Sequence, residues 1–187
     1  MKHVPNIITI VRMLFAPAFV VLLLLAGPDV ESPLRWWAAG LFIFGMATDG
    51  VDGWLARRLN AVSNFGKLMD PIADKVLTGG AIVTLSILGE LPWWVTALIL
   101  VREIGITLWR MVELGDNVVV AASWAGKLKT VLQFLAITAA LLPLAPLVGD
   151  GYNTVNVVLM SLATIATLAS GLDYLVAAVR ARRASRG

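Results

Sequence analysis

Six apolar stretches, each about 20 residues long, constrain this chain more than any other feature, because ~20 residues is the helix length that crosses a bilayer's hydrocarbon core. They run roughly over 6–26, 34–58, 64–88, 92–113, 126–147 and 154–178. Gly27-Pro28, Gly89, Pro92 and the 149–151 segment separate them as turns. The expected fold is an all-α integral membrane protein with six transmembrane helices, forming a single domain over 1–187. Composition agrees: 14% of the residues are charged, where a soluble domain carries nearer ~25%. Asn6, Thr9 and Arg12 interrupt the start of the first stretch. With no convincing small-residue cleavage site, it reads as a retained transmembrane helix rather than a signal peptide.

Charge orients the bundle. Lys2 precedes the first span, Arg57, Arg58 and Lys67 flank the second turn, and Arg110, Lys127 and Lys129 flank the fourth. Arg180, Arg182, Arg183 and Arg186 form the tail. The other three connections (27–33, 89–91 and 148–153) contain no Lys or Arg, and Arg35 is the one basic residue near that side. Basic loops stay in the cytoplasm. Both termini and turns two and four are therefore expected there, and an even number of spans agrees. Trp36-Trp37 and Trp93-Trp94 fall at the expected outer helix ends, where aromatic belts sit. The Arg-rich tail reads as an orienting, headgroup-binding anchor, not a nucleic-acid site.

Against this background stand four aspartates, Asp49, Asp52, Asp70 and Asp74. Asp49, Asp52, Gly53 and Ala56 recur at i, i+3, i+4 and i+7 on the second helix, and Gly66, Asp70 and Asp74 at i, i+4 and i+8 on the third. Each set shares one face. A short cytoplasmic turn makes the two helices antiparallel neighbours. At ~1.5 Å per residue, Asp49 lies roughly 14 Å from the helix end at Arg58. Facing each other, the stripes would form a four-carboxylate cage open to the cytosol.

An ionised Asp at mid-membrane costs ~2.5–3.5 kcal/mol on insertion scales, so four cost up to about 10 kcal/mol before their mutual repulsion. Water, protonation or cations must offset this. The chain has no Cys, and its single His, His3, is at the N-terminus. Disulfides, Cys chemistry and a His-ligated metal are thereby set aside. Four carboxylates suit one or two Mg²⁺ or Mn²⁺ ions, with substrate phosphate completing the shell. Gly53, Ala56 and Gly66 leave room for a ligand near the backbone. Small-residue helix packing, with the aspartates paired to Arg57, Arg58, Lys67 or Lys75, is the weaker account.

The segment from Asp49 through Asp74 reads D-x2-D-G-x2-A-R-x8-G-x3-D-x3-D, with every position filled. It resembles the signature of the CDP-alcohol phosphotransferase family. That resemblance implies transfer of a substituted phosphate from a CDP-linked donor to an alcohol, with release of CMP. It implies Asp49, Asp52, Asp70 and Asp74 as ligands of two divalent ions, with Asp74 also the general base. It implies Gly53, Ala56, Arg57 and Gly66 as parts of the CDP pocket, which Asp49, Asp52 and Asp70 border. It also implies a homodimer in the inner (cytoplasmic) membrane, with the active site facing the cytoplasm.

Two further stretches bear on the substrates. Asn6, Thr9 and Arg12 share one helix face and resemble the family's N-x2-T-x2-R opening beside the nucleotide site. Arg102-Glu103 lies inside the fourth span, followed by Arg110 and then S-x2-G-K-x-K-T-x2-Q over 123–133. Arg102, Arg110, Lys127 and Lys129 are candidates for holding an acceptor's phosphate. These stretches are similar to the branch of the family that makes phosphatidylglycerol phosphate. That implies CDP-diacylglycerol as donor and glycerol 3-phosphate as acceptor. Inositol phosphate or serine is the alternative acceptor within the family. Outside it, a divalent-cation channel or carrier would also place aspartates in a membrane. A conduction path, however, needs polar residues in the outer halves of the helices, where this chain has almost none.

Overall fold

The computed structural model describes residues 4–58, 64–115, 124–149 and 151–184, with side chains placed at 11, 13–48, 72–109, 124–149 and 151–180. Among the described residues the chain is entirely helical: α1 (Val4–Ala26), α2 (Pro33–Arg58), α3 (Asn64–Ile87), α4 (Trp93–Gly115), α5 (Trp124–Leu141), the one-turn α6 (Ala145–Val148) and α7 (Gly151–Ala184). The apolar stretches and the helices coincide closely for the first four. Gly27, Gly89 and Gly149 each take positive φ (62°, 78° and 90°) at the turns expected from them, a conformation that costs a Cβ-bearing residue strain.

The fifth stretch departs from expectation. An apolar run over 126–147 suggested one helix through to 147, but α5 stops at Leu141. Pro143 has no N–H to donate and disfavours helix at the residue before it. The chain restarts as the short α6, with Pro146 in its first turn. The last helix is longer than expected. Its 34 residues extend about 51 Å, well past a ~30 Å hydrocarbon layer, and carry Arg182 and Arg183 beyond the apolar segment.

The described bundle is apolar on its outer faces as well as inside. α1 lies on α2 and α3, α5 on α7 and across to α2 and α3, and α4 on α3 and α7. The interior is made of small and aliphatic side chains, including Ala16, Ala38, Ala39, Ala81, Ala136 and Ala163 beside Leu23, Leu77, Leu85 and Ile137. Phe19, Phe42 and Phe134 run through it, with ring centroids 5.8 and 6.2 Å apart. Gly45 lets α3 close in, for a Cβ there would meet Leu77 Cδ2 at 2.8 Å. Small residues at crossings are how helices approach in lipid, where no hydrophobic drive separates helix from solvent. The outward faces are apolar too: Leu14, Leu25, Val101, Leu108, Val157, Ile165 and Leu172 are all exposed. By length and composition, Gly151–Arg180 is apolar enough to cross a membrane. The other long helices carry charged residues at points described below.

Several buried hydroxyls are satisfied within their own helices, whereas Thr138 Oγ1 is buried without a partner among the described residues. Thr84 donates to the Gly80 carbonyl, Thr164 to Met160 and Thr167 to Ala163, the pattern expected where water is scarce. Ser86 and Thr96 share a 2.6 Å hydrogen bond between α3 and α4. Tyr152 donates to the Ala139 carbonyl at 2.7 Å, fastening the start of α7 to α5. Trp36, Trp37, Trp93 and Trp94 are all exposed at the starts of α2 and α4.

Candidate active site

The aspartate signature falls on two continuous helices. Asp49, Asp52, Gly53, Ala56 and Arg57 lie in the last turns of α2, and Gly66, Asp70 and Asp74 in the first half of α3. The two helices pack together. Helical backbone through both sets puts Asp49 and Asp52 on one face of α2, and Asp70 and Asp74 on one face of α3. The side chains of Asp49, Asp52, Gly53, Ala56, Arg57, Gly66 and Asp70 lie outside the described residues, as do those of Asn6, Thr9 and Arg12 on α1 and Arg110 on α4. The cage geometry expected from the sequence is therefore described only at Asp74, which is half-buried and whose backbone carbonyl accepts Thr78 Oγ1 at 2.8 Å.

One residue further along α3 begins a charged cluster. Lys75 Nζ donates to Glu103 Oε2 at 2.7 Å, and Arg102 Nη1 donates to Glu103 Oε1 at 2.9 Å. Lys129 Nζ, from α5, donates to the same Oε1. Arg102 Nη2 also reaches Ser170 Oγ on α7 at 2.9 Å. Gly171 makes room for that reach, since a Cβ there would sit 3.3 Å from Arg102 Cγ. Three helices thus meet at one carboxylate, and Arg102 ties a fourth, α7, to it. Lys129 is 7% exposed and Glu103 12%, so neither charge is well hydrated and each depends on the other.

The acceptor candidates therefore divide. Arg102 and Lys129 are brought together, whereas Lys127, two residues before Lys129 and on another side of α5, is exposed. Asp173 is exposed on α7. Glu103 and Lys75 were not among the expected site residues. The signal that could have found Glu103 was already in use for the aspartates: a carboxylate in mid-span needs partners.

The cluster borders a cleft of ≈ 310 Å³ between α3 and α4. Its surface is largely apolar, with Ile82, Ile99, Leu100 and Ile104 among its walls, and Lys75, Glu103, Thr107 and Gln133 supply its few polar groups. On the other side of α4, a largely apolar groove of ≈ 590 Å³ runs along α7 past Arg102, Trp109 and Tyr174. A polar site flanked by greasy clefts suits a reaction that joins a water-soluble molecule to a lipid.

Comparison with known proteins agrees with the signature. Residues 2–169 match the sequence profile of CDP-alcohol phosphatidyltransferase, and the chain belongs to that family, whose members generally depend on a divalent metal. It is 42% identical to a probable phosphatidylglycerophosphate synthase of Mycobacterium tuberculosis, over 95% of this chain and 82% of that protein. It is 40% identical to the CDP-diacylglycerol–glycerol-3-phosphate 3-phosphatidyltransferase of Bacillus subtilis, over 76% and 78% of the two chains. The enzyme of the same name from Escherichia coli K12 is 41% identical over 72% and 74%.

Proposed function

We propose that this protein transfers the phosphatidyl group of CDP-diacylglycerol to glycerol 3-phosphate, giving phosphatidylglycerol phosphate and CMP. The observation that carries the reading is the complete aspartate signature on two helices that pack together. The relatives named for this reaction support the choice of substrates.

In the reaction, Asp74 takes the proton from the attacking hydroxyl of glycerol 3-phosphate. The hydroxyl oxygen bonds to the phosphatidyl phosphorus, the phosphorus–oxygen bond to CMP breaks, and CMP leaves with that electron pair. Asp49, Asp52, Asp70 and Asp74 form an all-oxygen donor set suited to a hard cation, either Mg²⁺ or Mn²⁺ and two in number, which when bound polarises the donor phosphates and stabilises the leaving group. Gly53, Ala56, Arg57 and Gly66, with Asn6 and Thr9 from α1, border the CDP moiety. Arg102 and Lys129, assisted by Lys127 and Arg110, hold the acceptor's own phosphate by charge-assisted hydrogen bonds. The whole chain works as one six-span domain of the cytoplasmic membrane. Both termini and the aspartates face the cytosol, and two copies form the working unit.

The test is CMP release by purified protein in detergent, given CDP-diacylglycerol, Mg²⁺ or Mn²⁺, and one acceptor at a time. Release that depends on glycerol 3-phosphate supports the reading. Release with serine or inositol phosphate instead keeps the mechanism and removes the substrate. No release with any acceptor from folded, metal-supplied protein ends the reading.

A further inference from the structure

Glu103 takes no part in the chemistry described above, yet it is the point on which three of the site's cations converge. Lys75 from α3, Arg102 from α4 and Lys129 from α5 all donate to its two oxygens. Three like charges this close repel one another, and Lys129 is nearly cut off from solvent. One carboxylate can hold them together without cancelling them, so among these four side chains positive charge remains in excess. Lys75 lines the α3–α4 cleft and Arg102 the α4–α7 groove, so an anion of two or more charges that reaches the cluster meets cations already held in place, which lowers the ordering cost of binding it.

We infer that Glu103 is a positioning residue for the acceptor. It holds Lys129, Arg102 and Lys75 where the phosphate of glycerol 3-phosphate is bound, and so sets acceptor affinity rather than the rate of phosphoryl transfer. The inference rests on the acceptor reading above and adds the device that assembles the subsite. Arg102 has a second anchor in Ser170, whereas among the described residues Lys129 is held by Glu103 alone, so Lys129 depends most on Glu103.

The experiment compares wild type, Glu103→Gln, Glu103→Asp and the double variant Glu103→Gln with Lys129→Met, by initial-rate kinetics in each substrate and by thermal unfolding in detergent. Glu103→Gln raises KM for glycerol 3-phosphate by at least about tenfold while KM for CDP-diacylglycerol and kcat each change less than about threefold. Glu103→Asp recovers part of the loss. The double variant removes the most buried of the three cations together with its carboxylate, so it regains part of the thermal stability but keeps the raised acceptor KM. An unchanged acceptor KM in folded Glu103→Gln overturns the proposal, as does an equal loss in both substrates. Failure of all three variants to fold assigns Glu103 to the scaffold and overturns it too. Wild-type protein that releases no CMP with glycerol 3-phosphate defeats the acceptor reading itself, an outcome separate from the others.

Discussion

Arg35 and Glu90 pair one to one at the turn between α3 and α4, while near the middle of the bundle three cations crowd onto Glu103. Both sites are buried ion pairs in an apolar chain, and the contrast shows what each is for. Arg35 is 1% exposed, and its Nη2 donates to both Glu90 oxygens at 2.7 and 2.6 Å. Its Nε and Nη1 are buried without a hydrogen-bond partner. That pair is charge-neutral and borders neither of the two clefts. It ties the start of α2 to the α3–α4 turn, and it neutralises the one basic residue on the expected outer side. The Glu103 cluster is neither neutral nor closed: cations exceed the carboxylate, and Lys75 and Glu103 line a cleft. Unbalanced charge beside a cavity suits a charged ligand, and balanced charge away from one suits a scaffold.

The largest expected effect lies on the unbalanced side. Stripping divalent metal with a chelator should abolish CMP release, and returning Mg²⁺ or Mn²⁺ should restore it; activity undiminished by thorough chelation would leave the four aspartates without a purpose. Next in size is Asp74→Asn, which should reduce kcat by roughly 10²–10⁴-fold in protein that still folds. On the balanced side, Glu90→Gln strands the buried Arg35 charge and should lower thermal stability by up to about 3 kcal/mol. The acceptor KM of the folded fraction should stay unchanged. A shift in that KM would erase the distinction between the two sites. The smallest effect expected is that of Lys127→Ala. Its side chain is exposed, so solvent screens its charge, and the acceptor KM should rise only about threefold. Lys129→Met, which removes a buried partner of Glu103, should raise it considerably more. Equal effects from the two lysines would mean that burial on Glu103 contributes nothing to acceptor binding.

Much of this organisation could be read from the chain itself. Helix starts and stops follow the glycines, because Gly27, Gly89 and Gly149 end apolar runs and adopt positive φ. The tryptophan pairs, expected at helix ends, stand exposed at the starts of α2 and α4. The break after Leu141 was less legible: a run of Leu, Ala and Pro reads as one hydrophobic stretch, and hydropathy outweighs the missing N–H of Pro143 until the backbone is built. The ion pairs were the least legible. Glu103 meets partners 28 and 26 positions away, and Arg35 meets Glu90 across 55. Periodicity within one helix carries no information about such pairs. Single-helix spacing gave the aspartate stripes because each lies on one element, and for the same reason it could not show how α4 and α5 bring further charges up to Lys75.

The account's central claim is the identity of the acceptor, and the most direct measurement is the lipid product itself. Purified protein would be incubated with CDP-diacylglycerol, metal and glycerol 3-phosphate, and the lipids extracted and identified by mass spectrometry alongside CMP. Phosphatidylglycerol phosphate formed one for one with CMP is the expected result. CMP accompanied by phosphatidic acid would mean that water is the acceptor, and would contradict the assignment of Arg102 and Lys129 to an acceptor phosphate.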